Sequence, residues 1–205
     1  MLFPQFQSAL AGQEAVQSVN GPHSKSFKDI ILFAKTIVDS EPWLLDPKCL
    51  PIPWRSMEQK KKLKLAVVWN DPLVIPTPPV TRALKETVEK LKQAGHDIIE
   101  WDSTLHPKAL QLLVSVPVRV YNQIFLIFIK GRMFLADGAK SMKALLEPTQ
   151  EPWRPEMAQY EQATELGAHA MWQLHLERSE LQRQFLQQWM SYDGLDAILC
   201  KFNQP

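Results

Sequence analysis

Ser24, Lys25 and Ser26 stand together in the stretch GPHSKSFKDI. A serine beside a lysine is the composition of a hydrolytic pair, in which the amine takes up the hydroxyl proton and activates the oxygen for attack. The same residues also spell a helix start. Ser26 is followed three residues later by Asp29, the S-x-x-D form of a capping box. Neighbours at i and i+1 on a helix do not face each other. The cap is therefore the favoured reading, and Ser24 and Ser26 are not assigned a catalytic role.

Other groups that could do chemistry are weighed the same way. His169 and His175 lie six residues apart on a predicted helix. At ~100° per residue they point about 240° apart and cannot chelate one metal as an i, i+4 pair would. His96 and His106 bracket a predicted strand without partners at metal spacing. Lys60, Lys61, Lys62 and Lys64 form a basic run. No aromatic or glycine-rich sequence interleaves with it, so it reads as a solvated approach to a strand rather than a nucleic-acid contact. Cys49 and Cys200 match no metal or redox spacing and read as two reduced thiols of a cytoplasmic chain. No catalytic, cofactor-binding or metal-ligating residue is assigned, and no cofactor is expected.

Composition narrows the chemistry further. The net charge of +1 supplies no field to concentrate nucleic acid or an anionic membrane. The 205 residues include 16 prolines and only 7 glycines, about half the ~14 that average usage would give. No two glycines are adjacent, so a phosphate cradle or backbone oxyanion hole has little to be built from. IFLIFI, residues 124–129, is membrane-like but far shorter than the ~20 apolar residues a spanning helix needs.

The elements follow from periodicity. Phe27, Ile30, Ile31, Ala34 and Val38 form an apolar stripe on a helix that ends near Ser40, ahead of Pro42. Leu65 to Trp69 is a short strand buried on both faces. VTRALKETVEKLKQAG is a helix with Val80, Leu84, Val88 and Leu91 on one face, and HDIIEW follows as a second strand. Strand, helix, strand with short joins predicts parallel pairing. A helix is expected around Ala109 to Leu113. A long one is expected over roughly 158–190 with Leu166, Ala170, Leu174, Leu181, Phe185 and Trp189 on its apolar positions. A turn at Asp193-Gly194 then leads to a strand over Ala197 to Cys200.

The order of these segments carries a resemblance. GQEAVQSVNGPHSKSFKDI, the pair Trp54 and Arg55, KLKLAVVWNDPLVIPTPPVTRALKETVEKLKQAGHDIIEW, LADGAKSMKALLEPTQEPW and YDGLDAILC together resemble the amidase signature family, in particular its fungal acetamidase-like group. That family reads G-Q-E-S-V, a short link, then G-P-(M/L)-A-R-S-x-x-D-L. Gln13, Glu14, Val16, Gly21, Pro22, Ser26 and Asp29 match it, whereas His23 and Lys25 depart from it.

The resemblance implies an α/β fold, a mixed and mostly parallel sheet flanked by helices, with residues 1–205 the C-terminal portion of a single amidase-signature domain. It implies hydrolysis of linear carboxamides by a Ser–cis-Ser–Lys triad. The family places that triad, and a GGSSGG-like oxyanion segment, ahead of GQEAV. No residue of the triad carries over to this chain. The expectation is an amidase-family chain inactive alone, or a non-catalytic remnant or binding fragment. A small carboxamide would be the substrate of a complete parent enzyme, and neither nucleic acid nor membrane is expected as a partner. Residues 114–131 interrupt the family pattern and read as an inserted or intron-derived segment. They are expected to extend a helix or to leave Phe125, Ile127 and Phe128 exposed.

Overall fold

A helix, α1, spans Phe27–Asp39 and begins where the capping signal places it. The Ser26 side chain accepts from the Asp29 backbone N–H. A strand, β1, runs over Lys64–Val67, and α2 over Pro78–Gln93, with prolines in its first turn where no intrahelical N–H partner is needed. β2 (Asp97–Glu100) and α3 (His106–Leu113) follow, then a short antiparallel pair, β3 (Arg119–Val120) with β4 (Gln123–Ile124). α4 (Lys140–Leu146), α5 (Ala158–Glu161), α6 (Ala168–Ser191) and β5 (Ala197–Leu199) complete the order. These elements come from a computed structural model that describes residues 12–15, 21–58, 60–70, 76–113, 119–120, 123–124, 133–161 and 163–200. The described residues fall into two compact units.

One unit takes the described part of Met1–Gln59 together with Lys140–Pro152. It contains α1 and α4, and its buried side chains include Val38 and Cys49. Burial and the neighbouring Asp46 carboxylate both push the Cys49 thiol above its ordinary pKa. The α1 stripe predicted from spacing is covered only towards its C-terminal end. Val38 is 5% exposed and Phe27 is 73% exposed. Period alone locates a helix face and does not say what covers it.

The second unit takes Lys60–Ala139 with Trp153–Pro205 and is built on three parallel strands in the order β2-β1-β5. Leu65 pairs with Ile98 on one side and with Ala197 on the other. Ala66 and Val67 are fully buried, as a strand covered on both faces requires. On one face, Val67 packs with Leu84 and Val88 of α2, and with Ile98 and Leu199. On the other, Ala66, Val68, Trp101 and Leu195 gather Phe185 and Trp189 of α6, and Tyr192 just beyond it. The predicted strand–helix–strand unit is present with parallel register. The structure is thus mixed α/β, a small parallel sheet flanked by helices.

Acids lock the amino ends of the strands. Lys62 Nζ lies 2.8 Å from Asp97 Oδ1 of β2. Lys60 pairs with Asp196, just ahead of β5. The Lys64 backbone N–H donates to Asp196 Oδ2 at 2.9 Å, and the Asp196 N–H returns a bond to the Lys64 carbonyl. The basic run read as a solvated approach therefore aligns β1 with both neighbours.

The long helix differs from expectation at its start. α6 begins at Ala168, and Leu166 lies in extended chain, its N–H donating to the Ala136 carbonyl. Asp137 and Glu165 form an antiparallel bridge, and Gly167 continues extended (φ −69, ψ 159) as the cap. Tertiary pairing with residues 136–138 overrides the helical period there. The expectation for 114–131, with Phe125, Ile127 and Phe128, lies outside the described residues apart from the short pair β3 and β4.

Two outcomes follow. Gly138 has φ +66, and a Cβ added there would lie 2.8 Å from the Glu165 backbone nitrogen. Gly138→Ala is expected to lower unfolding stability by about 1–3 kcal/mol in denaturant titration. The Lys60 side chain and the Lys64 N–H hold the Asp196 carboxyl below its ordinary pKa. Its contribution is therefore full above the unfolded carboxylate value, near ~4, and is lost as pH falls through the lower folded value. Melts across that window should show Asp196→Asn less acid-sensitive than the parent chain.

Candidate functional site

The serines proposed for scrutiny from sequence are engaged structurally. Ser24 Oγ accepts from the Ser26 N–H at 3.0 Å and lies 3.4 Å from Asp29 Oδ2, to which it donates. Ser26 Oγ accepts from the Asp29 N–H at 3.3 Å. Asp29 thus engages both hydroxyls, its N–H donating to Ser26 and its carboxylate accepting from Ser24, and the segment is a helix cap. The Ser24 bonds are solvent-exposed, so the low-dielectric setting that strengthens hydrolytic catalysis is missing here.

The histidines are placed apart. His96 Nδ1 accepts the Leu63 N–H at 3.1 Å, joining the approach to β1 with the approach to β2. His106 Nε2 accepts from the Trp101 indole N–H at 3.2 Å, and its ring stacks on Phe185 with centroids 6.1 Å apart. His169 and His175 both lie on α6. Among the described residues no group of three or more His, Cys, Asp or Glu could hold a metal ion.

In open parallel sheets, ligands bind beyond the carboxyl ends of the strands. Among the described residues, polar bonds join the chain beyond β1 and β2 at that end. Ser103 Oγ donates to the Asn70 carbonyl at 2.6 Å. Tyr192 Oη accepts the Asp102 N–H, and Gln188 Nε2 donates to the Asp102 carbonyl. Trp101 is 5% exposed and its ring lies 5.3 Å from Tyr192 and 6.4 Å from Trp189. This aromatic cluster was not anticipated as a unit from sequence. Trp101 is far in sequence from Trp189 and Tyr192, beyond the reach of any local period.

The surface clefts among the described residues include two of note. One, of about 530 Å³, is lined by Pro76, Pro78, Thr81, Arg82, Lys85 and Glu86 at the start of α2. The other, about 280 Å³, lies between α3 and α6 and carries Lys108, Glu177 and Glu180. Hydrogen bonds from Arg183 and Gln184 hold Glu180 down to about 2, which keeps that carboxylate ionised and unsuited to giving or taking a proton near neutrality. Among the described residues, no Ser, Cys or His lines either cleft.

With the parallel α/β unit in place, comparison with known proteins resolves the class. The family model described as Amidase matches residues 2–202, and the chain belongs to that family. An acetamidase of Emericella nidulans is 26% identical over 97% of this chain and 36% of its own length. An amidase of Gibberella moniliformis is 39% identical over 70% of this chain and 26% of its own. A solved fatty acid amide hydrolase superposes with a TM-score of 0.80 at 30% identity, over 95% of this chain and 32% of that one. The chain spans about a third of the length of such relatives. Among the described residues no helix is long and apolar enough to cross a membrane.

A cap and a nucleophile respond differently to one substitution. Ser26→Ala is expected to cost about 0.5–2 kcal/mol of stability, the loss typical of an N-cap, and Ser26→Asp to restore most of it. Paired denaturant melts check this.

Proposed function

We propose that this chain is the C-terminal portion of one amidase domain, that it does not catalyse by itself, and that it contributes to amide hydrolysis only when joined to the portion carrying a nucleophile and base. The observation that carries the reading is coverage. A family match over nearly the whole chain accounts for only 26–36% of three amide-cleaving relatives. The occupied Ser24 and Ser26 hydroxyls support it from within the chain.

A small linear carboxamide is the substrate class of the joined enzyme, consistent with an acetamidase among the relatives. No cofactor enters the reading, since the family's hydrolysis rests on side chains. Cys49 and Cys200 are both free thiols, which suits a reducing compartment, the cytoplasm.

The assay is ammonia release from acetamide, benzamide and a longer acyl amide by purified residues 1–205. Turnover at the buffer blank is expected, because loss of a triad nucleophile alone lowers the rate by about 10⁶. Turnover above the blank that disappears in Ser26→Ala overturns the reading and makes the Ser24–Ser26 segment an active site.

A further inference from the structure

The two units are unequally supplied with core. Among the described residues the smaller unit buries Val38, Pro42 and Cys49 alone, whereas the larger one encloses β1 on both faces. The smaller unit nevertheless carries most of the exposed large apolar side chains, among them Phe27, Leu32 and Phe33 of α1 and Leu44 and Leu45 beyond it. Leu45 is 89% exposed.

The sequence of α1 makes the same point without reference to exposure. Ile30, Ile31, Leu32 and Phe33 follow one another in the helix. At ~100° per residue their side chains leave it around about 300° of its circumference. A surface helix of a finished domain is apolar along one stripe, and a helix apolar all round is enclosed. The pattern of α1 therefore calls for cover on more sides than the one that holds Val38.

We propose that the smaller unit opens independently of the larger one, and that the remainder of an amidase domain, laid over α1, is what holds it closed. The occupant follows from length. The family match takes in nearly the whole chain, yet the matched part is 36% of the Emericella nidulans acetamidase and 32% of the fatty acid amide hydrolase. The larger share of such a domain is thus left to supply the cover. Without it, few buried apolar contacts resist local opening of the smaller unit, while β1 and its neighbours stay folded. The inference rests on reading the chain as part of one amidase domain. It is read out by folding rather than by ammonia release, so either reading can fail alone.

Cys49, 4% exposed, reports closure. Its labelling by a thiol reagent is followed by mass spectrometry of its own peptide. In purified residues 1–205, Cys49 is expected to label within about 100-fold of its rate in denaturant, while β1 backbone amides exchange about 10³-fold or more slower than in the unfolded chain. In a chimera where residues 1–205 replace the matched segment of the Emericella nidulans acetamidase, Cys49 should label at least ~10-fold slower than in the free chain. Leu32→Glu should restore the fast rate in the chimera and change the free chain's rate by less than about 3-fold. Cys49 as protected as β1 in the free chain overturns the proposal. So does protection that rises with chain concentration over about 1–100 µM, the mark of a second copy as the cover. Equal rates in chimera and free chain, or a chimera indifferent to Leu32→Glu, overturn it as well.

Discussion

The structure of the larger unit depends on one strand having four neighbours. β1 is paired on both edges, by β2 and β5, and covered on both faces, by α2 and α6. A four-residue strand has few hydrogen bonds to offer. The zero exposure of Ala66 and Val67 is what makes its position favourable, at roughly 25 cal/mol per Å² of apolar surface removed from water. The lysines around it act on alignment more than on stability. Lys62 and Asp97 are both more than half exposed, and an exposed pair contributes at most about 1 kcal/mol. Asp196 differs, because it also accepts a backbone N–H from Lys64 and so fixes where β5 begins relative to β1.

From that arrangement the remaining packing follows. The two faces of β1 collect different partners because alternate side chains point opposite ways. Val67 takes the α2 side, while Ala66 and Val68 take the α6 side. Trp101, one residue past β2, extends the second cluster to the carboxyl end of the sheet, where Tyr192 and Gln188 reach across to the Asp102 backbone.

How far the sequence carried the reading depended on the range of the forces involved. The strand–helix–strand unit was legible because continuous apolar strands and a 3.6-residue period are local signals, and Leu84 and Val88 landed on the sheet as spaced. The Ser26 cap was legible for the same reason. The start of α6 was not, because the bridge from Asp137 to Glu165 joins distant residues. Gly167 was the only local hint of a break, and a lone glycine inside a helical period is a weak one. The α1 stripe was legible as a face, but period does not name its cover, and only Val38 of it is buried. For the candidate site, the sequence offered the Ser26 cap from local spacing but could not foresee the Trp101–His106 hydrogen bond or the bonds from Tyr192 and Gln188 to the Asp102 backbone. The resemblance to amidases rested on ordered motifs across most of the chain and agrees with the family match over residues 2–202.

The aromatic cluster gives the larger unit its own optical signature. Trp101, Trp189 and Tyr192 are fixed at 5.3 and 6.4 Å with defined ring angles. Chromophores held this closely and at fixed tilt couple electronically, so this trio should give strong near-ultraviolet ellipticity. Such ellipticity vanishes when side chains lose fixed packing even if helices persist. The chain thus carries a built-in spectroscopic probe of one unit, separable in principle from the helical signal that both units share.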